Sequence, residues 1–130
     1  MTTCEKRITK SLEGRLDDLH TLLNADDSKT EELGSLYDYG LSVDYVAPNT
    51  FEDQEEGYLR YQFSWGGPSD ELRFYLDNNN EVREVEYWFL DWNEGASRNV
   101  TNDKRVEEVM QWLEDMDTFR VEREKVEETV

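Results

Sequence analysis

Apolar residues recur at helical spacing near the start of the chain. Ile8, Leu12, Leu16, Leu19, Leu22 and Leu23 are separated by charged and polar positions. That period predicts an amphipathic helix over residues 4–24. Gly14 weakens it by about 1 kcal/mol relative to Ala without stopping it. Residues 24–28 break the pattern, and Asp27 or Ser28 is placed to cap a second, short helix through Tyr37, with Gly40 at its end.

From Leu41 the period changes from helical to alternating, the mark of half-buried strands. Residues 41–46 alternate until Pro48 stops them, and residues 49–57 form a polar loop. Residues 58–65 alternate again, with Leu59, Tyr61, Phe63 and Trp65 expected on one face. Gly66-Gly67-Pro68-Ser69 turns the chain into a strand lined by Leu72, Phe74 and Leu76. Asp77-Asn78-Asn79-Asn80 reads as a hairpin loop, since Asn and Asp tolerate left-handed backbone angles. The longest strand follows over residues 82–92, with Val85, Tyr87 and Phe89 inward. Residues 93–96 read as a loop leading to a helix that starts near Asn102 or Asp103. Its apolar stripe is Val106, Val109, Met110, Leu113 and Met116.

The expected fold class is α+β: a single domain with two N-terminal helices, a four-stranded antiparallel β-meander, and a C-terminal helix packed on one face of the sheet. The domain is expected over residues 1–120. Residues 121–130 form a charged C-terminal tail, either a helical extension or a frayed end.

Charge changes the picture more than composition does. The 130 residues carry a formal net charge of −18. Residues 1–30 hold five basic and six acidic residues, residues 31–96 hold three and 16, and residues 97–130 hold six and 10. The acidic middle section also holds 14 of the 16 aromatic residues, so it is able to build a core, which excludes disorder there. Such a field disfavours direct contact with nucleic acid or an anionic membrane and favours basic protein partners. One cysteine, Cys4, excludes an internal disulfide and a thiolate metal cluster. With no membrane-length apolar stretch and a polar N-terminus, a cytoplasmic location is expected.

Catalytic signals are absent. His20 is the single histidine and reads as a surface or boundary residue on the first helix. The 66–69 turn lacks the Lys-Ser/Thr ending of a phosphate loop. The loop carboxylates lack the alternation and central glycine of a calcium loop. No catalytic residue, metal or cofactor is expected, and the chain reads as a binding protein rather than an enzyme.

The outward face of the sheet is expected to carry Tyr58, Arg60, Gln62 and Ser64, then Glu71, Arg73 and Tyr75, then Glu84, Glu86, Trp88, Leu90 and Trp92. The arginines oppose glutamates and pair with part of the acid. Trp88, Leu90 and Trp92 are too apolar for an ordinary solvated face, so either helix or tail covers them or they form a patch rimmed by acid. The candidate partner-binding residues are therefore Glu52, Asp53, Glu55 and Glu56 of the loop, Asp70, Glu71, Glu84, Glu86 and Trp88 of the strands, and Asp91, Trp92 and Glu94 at the sheet's end.

Three readings of the acid follow. Carboxylates at alternate strand positions lie about 6.6–6.8 Å apart, close to the step between phosphates. A DNA-mimic inhibitor of a nucleic-acid-binding protein, as in host defence, is the sharpest reading. A chaperone or immunity-type protein that covers another protein is the second. Adaptation to high salt is the third, weakened by the near-neutral first thirty residues. The partner is a basic protein, DNA- or RNA-binding in the first reading, and the chain itself is a monomer or homodimer.

Overall fold

The first helix, α1, spans Cys4–Asn24, and Thr3 caps it by accepting a hydrogen bond from the Lys6 amide (3.3 Å). In this computed structural model residues 3–79, 81–91 and 94–128 are described. Ile8, Leu12, Leu16, Leu19 and Leu22 are buried along one face of α1, as the period requires. Asn80 and Trp92 lie outside the described residues.

The second helix of the sequence reading is replaced by smaller pieces. A 3₁₀ turn at Asp26–Ser28 leads to a two-residue hairpin, β1 (Lys29–Thr30) with β2 (Gly34–Ser35), and then to the single turn α2 (Leu36–Tyr39). Local hydrogen bonds explain the difference, because they offer the backbone alternatives to a helix. Thr30 Oγ1 accepts from the Leu33 amide (3.0 Å) and Ser35 Oγ from the Asp38 amide (3.2 Å). Gly34 sits at φ +76°, where glycine avoids the Cβ penalty. Gly40 does follow the helical turn, and its missing side chain makes room for the Tyr61 ring.

The main sheet has five antiparallel strands in sequential order: β3 (Ser42–Val46), β4 (Tyr58–Ser64), β5 (Ser69–Leu76), β6 (Val82–Asp91) and β7 (Glu94–Asn99). It is one strand longer than the four expected. The fifth comes from residues read as a loop: β7 pairs along β6 from Asp91↔Glu94 to Glu86↔Asn99. Its residues have little intrinsic strand preference, so the pairing with the ten-residue β6 decides its state. The Asp77 turn behaves as read, with Asp77 Oδ1 accepting from the Asn79 and Glu81 amides.

Helix α3 (Lys104–Glu114) starts behind Asp103, whose carboxylate accepts from the Arg105 amide (2.8 Å), and α4 (Asp117–Glu128) follows it. Helix α1 packs on β6, β7 and α3, whereas α4 packs along β3 at the edge of the sheet. The core lies between the helices and the inner sheet face. It joins the α1 leucines, Leu36, Val106, Val109 and Leu113 to Leu59, Tyr61, Phe63, Leu72, Phe74, Val85, Tyr87 and Phe89. The fold is a single small α+β domain with an antiparallel sheet. Among the described residues, no helix is long and apolar enough to cross a membrane.

Candidate protein-binding groove

The sheet face turned away from α1 is concave and holds a groove of about 790 Å³. Its floor is made by Arg60, Glu71, Arg73, Tyr75, Glu84, Glu86, Trp88 and Leu90, and its walls by residues 51–56 on one side and Trp65-Gly66 on another. Alternation accounts for the floor. Glu71 faces Trp88 across β5 and β6, Arg73 faces Glu86, and Tyr75 faces Glu84, all on the outward side.

Arg73 organises the floor. Its guanidinium lies 4.1 Å from the Trp88 ring centroid and 4.6 Å from that of Tyr58. Its Nε donates to Glu71 Oε2 at 2.8 Å. Arg60, directly opposite Arg73 in register, donates to both oxygens of Asp44 at 3.0 and 2.7 Å. Two facing arginines are tolerated because each has its own carboxylate. Glu86 Oε1 accepts from Tyr75 Oη (2.8 Å) and Trp88 Nε1 (3.1 Å). Burial and that bond to Glu86 push the Tyr75 hydroxyl's pKa well up from its ordinary value. Tyr58, fully buried beneath the floor, is pushed up to about 12 by burial.

The loop wall is fixed by one side chain. Gln54 accepts from the Thr50 and Phe51 amides with Oε1, and donates through Nε2 to the Ala47 and Glu56 carbonyls. Asn49 and Asp53 take left-handed angles (φ 63° and 58°), which their short polar side chains tolerate. Glu56 is bound by Arg83, which ties the loop to β6. Glu52, Asp53 and Glu55 form no ion pair among the described residues and are exposed.

The candidate residues of the sequence thus divide. Glu52, Asp53, Glu55, Glu56, Glu71, Glu84, Glu86 and Trp88 meet around one groove. Asp70, Asp91 and Glu94 do not belong to it, and Trp92 lies outside the described residues. Asp70 is a correction: it is buried on the helix side, 2 % exposed, where it accepts from Arg15 Nε (2.8 Å), Arg15 Nη2 (3.1 Å) and Tyr87 Oη (2.6 Å). Asp91 is held by Arg7 Nη1 (2.5 Å), and Glu94 Oε1 accepts from the Cys4 amide (2.7 Å). Glu71, a partner-binding candidate on the strands, is only 2 % exposed because Arg73 and the strands enclose it. Among the described residues, no helix residue lines the groove with Trp88 and Leu90, and both are half-buried.

A register shift between Gln62 and Ser64 explains two further corrections. A bulge breaks the two-residue alternation. Ser64, expected outward, donates from Oγ to buried Asp70 at 2.5 Å. Trp65, expected in the core, is 76 % exposed at the rim of the groove. Phe51 and Trp65 were not among the sequence candidates. A large aromatic inside a polar loop, and another directly before a glycine pair, is the available signal.

Other titratable groups serve the scaffold. Cys4 is buried, and burial together with Glu94 raises its thiol pKa, which disfavours the reactive thiolate. His20 is exposed beside Glu108 (3.3 Å). Among the described residues, no three His, Cys, Asp or Glu side chains are grouped as ligands for a metal ion. In comparisons with protein-family models, curated proteins and solved structures, nothing matches this chain.

Proposed function

We propose that the protein is a non-enzymatic binding module that receives a basic segment of another protein in the groove of its sheet. The observation that carries this reading is the groove's lining: seven carboxylates against two arginines, with exposed Phe51 and Trp65 at the rim. Both arginines have carboxylate partners, so the excess charge left for a ligand is negative. Aromatic rims beside such a surface suit the stems and cationic heads of Lys and Arg side chains. Groove volumes in this range are typical of sites that enclose ligand groups.

Geometry favours the escort or immunity-type reading over imitation of a nucleic acid. A mimic needs carboxylates free in a row. Here Glu71, Glu84 and Glu86 are engaged by Arg73, Arg83 and Tyr75, and the unpaired acid sits on the loop wall of a concavity. A recessed acidic surface suits a protruding basic segment of a partner, whether or not that partner also binds nucleic acid.

The test is titration with a defined Lys/Arg-rich peptide of about a dozen residues, followed by amide NMR shifts. Saturable shifts confined to the loop, Trp65 and the outward positions of β5 and β6 are expected. Affinity should fall roughly tenfold or more between low and physiological salt, as charge-driven association does. The triple variant Glu52→Gln, Asp53→Asn, Glu55→Gln should weaken it similarly, and Trp65→Ala should weaken it at constant charge. Shifts spread evenly over the acidic surface would sink the reading.

A further inference from the structure

The basic residues of this acidic chain are not scattered evenly. A second, open concavity of about 550 Å³ lies on the helix side, bounded by α1, Pro68 and Phe89. Lys6, Arg7, Lys10 and Arg15 line it against a single carboxylate, Asp18. Arg15 is committed to Asp70 and Tyr39, and Asp18 accepts from Tyr39 Oη at 2.6 Å. Arg7 reaches Asp91 with Nη1 and stacks 4.8 Å above Phe89, which leaves its remaining N–H groups directed elsewhere. Lys6 and Lys10 form no ion pair among the described residues.

Three features of this spot oppose helix stability. Lys6 and Arg7 place positive charge in the first turn, where the helix dipole disfavours it. Lys6 and Lys10 are like charges one turn apart, which repel. Gly14 completes the same row, one turn beyond Lys10, in the middle of a helix where glycine is a poor choice. A Cβ at Gly14 would meet nothing within 4 Å, so neither packing nor backbone angle demands the glycine. All three make sense if something negative approaches the helix closely along Lys6, Lys10 and Gly14.

We propose that this concavity is a binding site for a compact polyanion, a small molecule carrying two or more oxyanion groups. Lys6, Lys10 and the Arg7 donors that no described residue engages supply the charge, and Gly14 allows close approach. Compactness follows from the field. The net charge of −18 repels an extended polyanion, whereas a small ligand stays within a Debye length, about 8 Å at physiological salt, of Lys6, Arg7 and Lys10. The site is on the opposite side of the sheet from the groove and does not depend on the function proposed for it.

The test titrates the whole protein at low salt with inorganic pyrophosphate and, in a parallel arm, with citrate, following amide shifts and thermal melting. Saturable shifts limited to residues 6–18 and Phe89 are expected for at least one probe, with an apparent Kd below about 1 mM. Pyrophosphate alone would assign a phosphoryl ligand, citrate alone a carboxylate ligand, and equal binding a site selective for charge. Lys6→Gln with Lys10→Gln should raise Kd roughly tenfold while the protein melts no lower than the unmodified chain, and Lys104→Gln should leave Kd unchanged. Gly14→Ala should raise the melting temperature and still weaken binding. Non-saturating shifts, equal shifts at Lys29 and Lys104, or undiminished binding by the double variant would overturn the proposal.

Discussion

Asp70 shows how one residue ties the two layers together. Its carboxylate is buried and accepts hydrogen bonds from Arg15 on α1, from Tyr87 on β6 and from Ser64 on β4. Removing one partner of such a pair leaves an uncompensated charge, so Asp70→Ala should destabilise the fold by about 3–5 kcal/mol. Melting should fall by on the order of 10 °C for a chain of this size. A drop within ordinary surface-mutation scatter would show that the pair contributes little. The alternation of β5, with Leu72 and Phe74 inward, already points Asp70 inward. What the sequence hides is the partner, because Arg15 is 55 positions away on another element. The Arg105 cluster gives a pH prediction. Arg105 donates to Glu13 and holds its carboxyl below the ordinary range of a glutamate. At Asp103 burial pushes the pKa up, but hydrogen bonds from Arg105 outweigh it and the net direction is down. A depressed folded pKa stabilises above the unfolded pKa and is lost as pH falls through the folded value. Arg105→Gln should therefore lower melting at neutral pH, and the gap to the unmodified protein should close as the carboxylates protonate. A gap that stays constant into acid would mean Arg105 acts by packing alone.

Elements with a strong period were legible, and those decided by pairing were not. α1, α3 and the inward residues of β4, β5 and β6 follow from spacing, because burial enforces period and the period shows in the residues. β7 escaped because Gly95, Ala96, Ser97 and Asn99 carry little strand preference. β6 supplies the hydrogen bonds, and Ala96 is small enough to bury beneath the helices. The second helix failed for the opposite reason, since Thr30 and Ser35 bind nearby amides in a hairpin and a single turn. Half of the groove was equally legible: its floor is alternation, but its rim depends on the bulge after Gln62 that turns Trp65 outward. Gly40 tests how tightly these small elements are fitted. A Cβ there would stand 2.1 Å from Tyr61 Cε1, a buried ring with little room to move. Gly40→Ala should destabilise by about 1–3 kcal/mol through overpacking, and Tyr61→Leu should recover part of that in the double variant. Additive losses in that cycle would place the strain elsewhere.

At the scale of the molecule, the acid falls into two groups, one buried and paired and one exposed. Two carboxylates, Asp70 on the helix side and Glu71 on the outer face, are buried and paired with arginines, and three without an ion pair among the described residues, Glu52, Asp53 and Glu55, line the loop wall of the groove. Self-repulsion at −18 still opposes the compact state, whatever the surface does. The core is large enough to outweigh it without help, since buried side chains run from α1 and α3 through all five strands of the sheet. The protein should therefore be folded at low ionic strength. Its melting temperature should rise as salt is added and level off once the Debye length drops to about 8 Å, near 0.15 M. Sodium and potassium chloride should act alike, because screening depends on ionic strength and not on specific cation sites. A surface adapted to a saline habitat behaves differently: the chain would be unfolded or molten at low salt and gain structure only toward molar concentrations. Near-ultraviolet circular dichroism across that range separates the two, because the aromatic residues packed in the core report fixed tertiary structure. If the signal formed only at molar salt, the acid would need no partner to explain it, and the groove would lose the charge argument that assigns it one.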